Sequence, residues 1–335
     1  VAGRVRSNGG GRRLGKRFSP DRGHQLPLTK EGAEADAAVA EAGKKTQSRR
    51  ELSRNDRFEQ ISPEVGEIDE AAVEEGLRDD PDDTLALLAD LTAATDPKLR
   101  ELARRLAGRL FLEVSRRGPV RPRGIGTMAT LPYRPDAGDI EIDASMEVLS
   151  EARAHGGVVD TEGLKVRSWV KPGTALSLCV DRSGSMGGKP LAASAVAAAA
   201  VAWRAPADYS VLAFGKDVVV AKSQDVPKSS DQVVNDVLTL RGFGTTDVAG
   251  ALQAAHQQLS RSRAGRRITV LLSDCRSTVA GDVAAAARSL DELVILAPEG
   301  DDDEARKLAA SVGARLATIA GPSDIPSALA QVLGD

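Results

Sequence analysis

Asp181, Ser183 and Ser185 alternate in Asp181-Arg182-Ser183-Gly184-Ser185-Met186, directly after the apolar run 175–180. Farther on, Gly242-Phe243-Gly244-Thr245-Thr246-Asp247 leads into an alanine-rich stretch, and Asp274 follows a second apolar run, 268–273. Two carboxylates, two serines and one or both of the threonines therefore follow apolar segments, and all of them are oxygen donors. Such a set suits a hard cation: Mg²⁺, with Mn²⁺ or Ca²⁺ as alternatives. Two carboxylates only balance a divalent charge, and hydroxyls add none. A metal held this way stays electrophilic and accepts one more acidic oxygen from outside. Taken singly, the aspartates would merely cap loops and the serines cap helices; it is their joint placement that points to a metal.

That placement depends on the elements around them. From about Leu164 short apolar runs alternate with amphipathic segments. Strands are expected at 175–180, 209–214, 218–221, 268–273, 293–297 and 315–319. Helices are expected at 189–203, 229–240, 247–260, 279–290, 303–312 and 325–333. The strands at 209–214 and 218–221 are joined only by Gly215-Lys216-Asp217. They must be antiparallel, because a parallel crossover takes a dozen or more residues. The other strands are continuous apolar runs, as in a sheet covered on both faces. The fold class is therefore α/β: a doubly wound, mostly parallel sheet with one antiparallel edge strand. Ligands of such sheets bind beyond the carboxyl ends of the strands, which is where the oxygen donors fall. The helix starts after Ser185 and Thr246 are expected to offer backbone amides to an incoming anion.

Asp181-x-Ser183-x-Ser185, a later Thr246, and Asp274 closing a strand resemble the metal-ion-dependent adhesion site of von Willebrand factor A domains. The resemblance covers residues 164–335, about half of the chain, and includes Gly-Thr-Thr-Asp-x-Ala-x-Ala-Leu from Gly244 to Leu252. It selects Thr246 over Thr245, since Asp247, Ala249 and Ala251-Leu252 then fall into the family spacing. It implies that Ser183 and Ser185 touch the metal directly, and that Asp181, Thr246 and Asp274 act directly or through water. It also implies that a partner's Glu or Asp fills the open position. Two departures stand out: Arg182 is a bulky cation beside the site, and Cys275 stands where many relatives have glycine.

The segment Leu164-Lys165-Val166-Arg167-Ser168-Trp169 resembles the approach to the metal loop in magnesium-chelatase D-like and CoxE-like proteins. That resemblance implies an adaptor of a MoxR-like AAA+ ATPase acting on a client protein. The ATPase, of MoxR or chelatase-I type, would dock through an acidic side chain that completes the metal site. Two alternatives stay open, the D-like subunit of a magnesium or cobalt chelatase and a structural scaffold with an inactive metal site. A full D subunit would carry an AAA+-like N-terminal half, for which residues 1–163 are short and irregular.

The rest of the chain narrows the class. Of 335 residues 41% are hydrophobic but only 3% aromatic, so the core must be built from Ala, Val and Leu. A net charge of −3 argues against a dedicated nucleic-acid binder. No run of eighteen apolar residues suggests a membrane span, two cysteines make no disulfide framework, and no apolar stretch follows the basic start as in a secretory signal. A cytoplasmic protein is expected. Residues 1–50 hold twelve Lys or Arg against five Asp or Glu and read as a disordered basic arm. Residues 51–163 read as a helical region followed by a Gly/Pro-rich connector at 118–139, then a short helix at 143–152; the domain of interest spans 164–335. Within the helical region an acidic piece, 64–96, precedes a basic one, 97–123. They either pair with each other or dock a partner. Gly10-x4-Gly15-Lys16 imitates a phosphate loop, but Arg17 replaces the hydroxyl that would hold Mg²⁺ and no apolar strand precedes it. His24, His155 and His256 are scattered, and no Ser-His-Asp set can be assembled. The expectation is a binding module and not an enzyme.

Overall fold

The computed structural model describes residues 29–116, 127–133, 139–154, 163–170, 174–182, 188–242 and 244–334. The first part holds β1 (Thr29–Lys30) and the helices α1 (Ala33–Ala42), α2 (Arg49–Leu52), α3 (Phe58–Ile61), α4 (Glu70–Asp79), α5 (Pro81–Leu91) and α6 (Pro97–Arg116). Next come β2 (Thr127–Pro132), β3 (Asp139–Ile140), α7 (Ile142–Ala154) and β4 (Lys165–Val170). The remainder alternates: β5 (Thr174–Asp181), α8 (Gly188–Arg204), β6 (Tyr209–Phe214), β7 (Val218–Lys222), α9 (Ser230–Thr239), α10 (Val248–Leu259), β8 (Arg266–Leu272), α11 (Val283–Arg288), β9 (Glu292–Pro298), α12 (Asp303–Val312), β10 (Arg315–Ile319) and α13 (Ile325–Leu333). A short 3₁₀ turn, Pro322–Asp324, precedes α13.

The central sheet has the order β1-β7-β6-β5-β8-β9-β10, and every neighbouring pair is parallel except β6 with β7. From β5 the chain moves outward through β6 and β7, then returns to place β8 on the other side of β5. The strand order therefore reverses between β5 and β8, where such sheets bind their ligands. Alternate residues of β5 face opposite layers. Leu176, Leu178 and Val180 join the core that contains α5, α6, α8, α9 and α13, whereas Cys179 joins the core under α10, α11 and α12.

α8 is apolar all round, and residues Leu191 to Ala202 are all buried. An all-apolar helix has to be covered on every side. The sheet covers one side of α8, and α5, α6 and α9 pack on it from outside; its many alanines let these neighbours approach closely. α5 starts with Pro81 at its first turn, and Asp80 accepts a hydrogen bond from the Asp83 amide at 3.0 Å. Its Leu85, Leu87, Leu88 and Leu91 are buried in the same core as Leu99, Leu106, Leu110, Phe111 and Val114 of α6. Both helices thus pack an apolar face on α8. The acidic and basic pieces meet within the chain at the Arg109–Glu70 pair, 2.7 Å apart.

Three expectations need correction. The basic arm does not extend to residue 50, because β1, α1 and the first turn of α2 occupy residues 29–50; residues 1–28 lie outside the described residues. Glu31 pairs with Arg261, Ala35 is buried, and Ser48 and Glu51 form a reciprocal capping box. The apolar side of α1 is Ala35, Ala38, Val39 and Ala42, small residues that a charge count hides. β1 also lies outside β7, with Thr29 beside Val218, so it covers the edge that the antiparallel strand would otherwise expose.

Second, the expected connector at 118–139 contains strands. β2 and β3 flank β4 in a separate three-stranded antiparallel sheet. Gly and Pro dominate the segment's composition but stay out of β2 until its last residue, Pro132. The boundary expected at 164 falls at the edge of β4, which pairs in this small sheet and not in the central one.

Third, residues 51–116 do not stand apart from the later part of the chain, because α5 and α6 share one core with α8.

Candidate metal centre

β5 and β8 run parallel in a register that sets Val180 beside Leu272. The next residues, Asp181 as the last of β5 and Ser273 and Asp274 just beyond β8, therefore emerge together. Ser273 Oγ donates to Asp181 Oδ2 at 2.7 Å and accepts from the Cys275 amide at 3.0 Å. Asp274 Oδ1 accepts from the Arg276 amide at 2.9 Å, which closes a tight turn. Within that turn Cys275 has φ = 63°, the left-handed region that favours glycine. This accounts for the departure noted at Cys275: the backbone asks for glycine, and a cysteine meets the demand under strain. Burial, followed by the charges of Asp274, Asp181 and Glu304, pushes the Cys275 thiol up to about 12. At that value it is not a reactive thiolate.

Thr246 is buried and touches the chain just beyond Asp274. Its amide donates to Thr278 Oγ1 at 2.7 Å, and its carbonyl accepts from the Thr278 amide at 3.0 Å and from Ser277 Oγ at 3.2 Å. The loop that carries Thr246 is pinned on its other side as well. The Asp247 amide donates to the Gly215 carbonyl at 3.0 Å. Gly242 lies so close to the backbone of residue 182 that a Cβ there would sit 1.8 Å from the Arg182 carbonyl oxygen, and only glycine fits.

The structure thus brings Asp181, Thr246 and Asp274 to one rim. Ser183 and Ser185 lie outside the described residues. Arg182, the cation beside the site, turns to Asp217, which also pairs with Lys30 at 2.5 Å. Burial alone would raise the Asp217 carboxyl. The hydrogen bond from Lys30, with the charges of Arg182 and Lys30, outweighs it and holds the group below the usual carboxylate range. Arg276, beyond Asp274, pairs with Asp301. Both cations nearest in sequence to the two carboxylates are therefore engaged by other acids.

This donor set fits a hard divalent ion. Among the described residues no group of three or more His, Cys, Asp or Glu could hold a metal, and the donors beside Asp181 and Asp274 are hydroxyl oxygens. Two carboxylates on adjacent strand ends, with Thr246, supply the described part of such a set. A cleft of about 340 Å³ opens beside it, lined by Asp181 and Asp274 and by Lys189, Leu272, Ile319 and Pro322. At each of the two helix starts one first-turn amide is already engaged within the chain. The Gly188 amide is taken by Asp90, and the Gly250 amide by Asp247 at 2.9 Å.

Reading the sequence missed Ser273, Asp217 and Asp90. The signal for Ser273 was a hydroxyl closing an apolar strand directly before a carboxylate. That for Asp90 was an acid interrupting the leucines of α5. Nothing local marked Asp217 beyond its place in a turn.

Residues 176–276 match the family model of the von Willebrand factor type A domain. The matched span contains all five expected metal ligands, and this stretch of the chain is a domain of that type. No curated protein matches the sequence. Among solved structures, proximal thread matrix protein 1 from the mussel byssus is 14% identical, with a TM-score of 0.39 over 48% of this chain and 47% of that one. A von Willebrand factor type A protein from Catenulispora acidiphila is 18% identical, with a TM-score of 0.36 over 48% of this chain and 42% of that one. The manganese-loaded TRAP protein of Plasmodium vivax is 16% identical, with a TM-score of 0.35 over 44% and 68%. The chain spans about half the length of the first two. Among the described residues no helix is long and apolar enough to cross a membrane.

Proposed function

We propose that this chain is a protein-binding module that works through one divalent metal, Mg²⁺ by preference, held by Asp181, Ser183, Ser185, Thr246 and Asp274. The observation that carries the reading is the meeting of Asp181 and Asp274 at the reversal point of the sheet, joined through Ser273. When bound, the metal supplies an electrophilic position for a carboxylate from the partner. The chain's own residues prepare that position. Ser273 orients the Asp181 carboxylate, the Cys275 turn reverses the chain after Asp274, and Asp217 draws the Arg182 guanidinium to itself. A partner carboxylate entering here gains a charge-assisted contact in a partly dry cleft, and its loss should cost a few kcal/mol, about 2–5.

The partner in this proposal is a cytoplasmic AAA+ ATPase of MoxR or chelatase-I type, as implied by the resemblance of the segment now found in β4. The module binds and does not catalyse. The test is capture of a co-encoded ATPase of that type by the full chain in saturating Mg²⁺. ATP also needs Mg²⁺, so removing the metal is not a clean control, and Asp274→Ala is compared with wild type in full Mg²⁺. Capture should be lost in the variant while its circular dichroism is unchanged. A folded Asp274→Ala protein that captures the ATPase as well as wild type contradicts the metal-bridged reading.

A further inference from the structure

Asp90, near the end of α5, has no place in the expected metal set, yet it touches both loops that carry that set. Its Oδ1 and Oδ2 accept from the Gly188 amide at 3.1 and 3.2 Å, where the loop after Asp181 enters α8. Oδ1 also accepts from Arg241 Nη1 at 3.0 Å, where the loop to Thr246 begins. Arg241 is anchored a second time, Nη2 donating to the Ala89 carbonyl at 2.7 Å. Its side chain is only 9% exposed, so this guanidinium depends on its partners.

The contacts form a closed circuit. Arg241 precedes Gly242, whose backbone lies against the Arg182 carbonyl at the start of the first loop. Asp90 holds the far end of the same loop at Gly188, which has φ = 58° and so makes a sharp entry into α8. One carboxylate on α5 thereby holds Gly188, at the start of α8. Through Arg241 and Gly242 it also bears on Arg182, just after β5, and on the start of the segment that leads to Thr246.

We propose that Asp90 is a positioning residue for the metal site, through which the N-terminal helical region sets the spacing between Arg182, Gly188 and the segment that leads from Arg241 to Thr246. The proposal rests on the metal-site reading above. Groups that orient metal ligands from outside typically change metal affinity by about 10–100-fold when removed.

The test uses the full chain as wild type, Asp90→Asn and Asp82→Asn. Asp82 lies on the same helix and accepts from the Ser323 amide at 2.8 Å, so its variant controls for general loosening of α5. Mn²⁺ affinity is read by water-proton relaxation. Amide hydrogen exchange in EDTA is read on peptides spanning 186–192 and 241–247. Asp90→Asn should bind Mn²⁺ roughly tenfold more weakly and exchange faster in both peptides, while Asp82→Asn does neither. Wild-type Mn²⁺ affinity in Asp90→Asn, or faster exchange in only one peptide or in neither, overturns the proposal. If wild type itself binds no Mn²⁺, the metal-site reading fails, and the exchange data in EDTA still decide whether Asp90 couples the two loops. Should Asp90→Asn not fold, the double variant Asp90→Ala/Arg241→Met removes the buried charge with its partner and is read against the same outcomes.

Discussion

Ser273 Oγ donates to Asp181 Oδ2 at 2.7 Å across the boundary between β5 and β8. The hydroxyl in turn accepts from the Cys275 amide. A carboxylate at the end of one strand is therefore aimed by the turn that closes the next. Ser273→Ala should weaken Mn²⁺ binding by roughly tenfold and lower stability by about 1 kcal/mol. Water-proton relaxation and urea unfolding check the two numbers. Unchanged Mn²⁺ affinity would show that Asp181 needs no such support.

Asp217 forms an ion pair with the Arg182 guanidinium, the cation next in sequence to Asp181. Asp217→Asn leaves that cation without its counter-charge and should cost about 2 kcal/mol of stability. It should also weaken Mn²⁺ binding, because Arg182 is then a nearby unneutralised positive charge. Raising ionic strength should recover part of the lost Mn²⁺ affinity by screening. Binding that is unaffected by the substitution would mean Arg182 never bears on the site.

Glu31 ties the N-terminal strand to the end of α10 through Arg261, whose Nη2 donates to it at 2.8 Å. The hydrogen bond from Arg261 is the main cause that lowers the Glu31 carboxyl from 4.5 to about 2, against the opposing effect of burial. A depressed folded value means the contribution is fully present above 4.5 and is lost as pH falls from there toward 2. Thermal unfolding between pH 6 and pH 2.5 should show the midpoint falling less steeply in Glu31→Gln than in wild type. Identical slopes would remove Glu31 from the account of acid sensitivity.

Phe111 of α6 is fully buried in the core shared with α8. Phe111→Ala should cost about 3–5 kcal/mol, measured by denaturant unfolding. By the same packing, a fragment beginning at Thr174 lacks the helices that cover α8 and should aggregate or bind hydrophobic dyes. A soluble, cooperatively unfolding fragment would contradict the shared core.

The sheet from β5 onward was legible because its strands are continuous apolar runs, and the three-residue link after Phe214 allows only an antiparallel partner. The alanine-rich texture of α8 could be read as a helix. The two residues of β1 carry no periodicity, so nothing local distinguished them from an arm. β2 and β3 were hidden by the Gly and Pro around them. At the site, Asp181 and Asp274 were legible because they follow apolar runs on a rim dictated by topology, and Thr246 through the resemblance of the motif around it. Ser273 was visible only as part of a strand, since its role depends on the register with β5. The Asp90–Arg241 tie joins residues 151 apart in the chain. A tie of that length leaves no spacing signal, and only the packing of α5 on α8 reveals it.

The most direct test of the metal centre is a Mn²⁺ titration of the full chain, followed by water-proton relaxation, with wild type beside Asp181→Asn and Asp274→Asn. Wild type should show one saturable site from which Mg²⁺ displaces Mn²⁺. Each variant should lose roughly tenfold or more in affinity while its circular dichroism stays that of wild type. Equal binding by all three proteins would contradict the assignment of Asp181 and Asp274 as the carboxylates of the site.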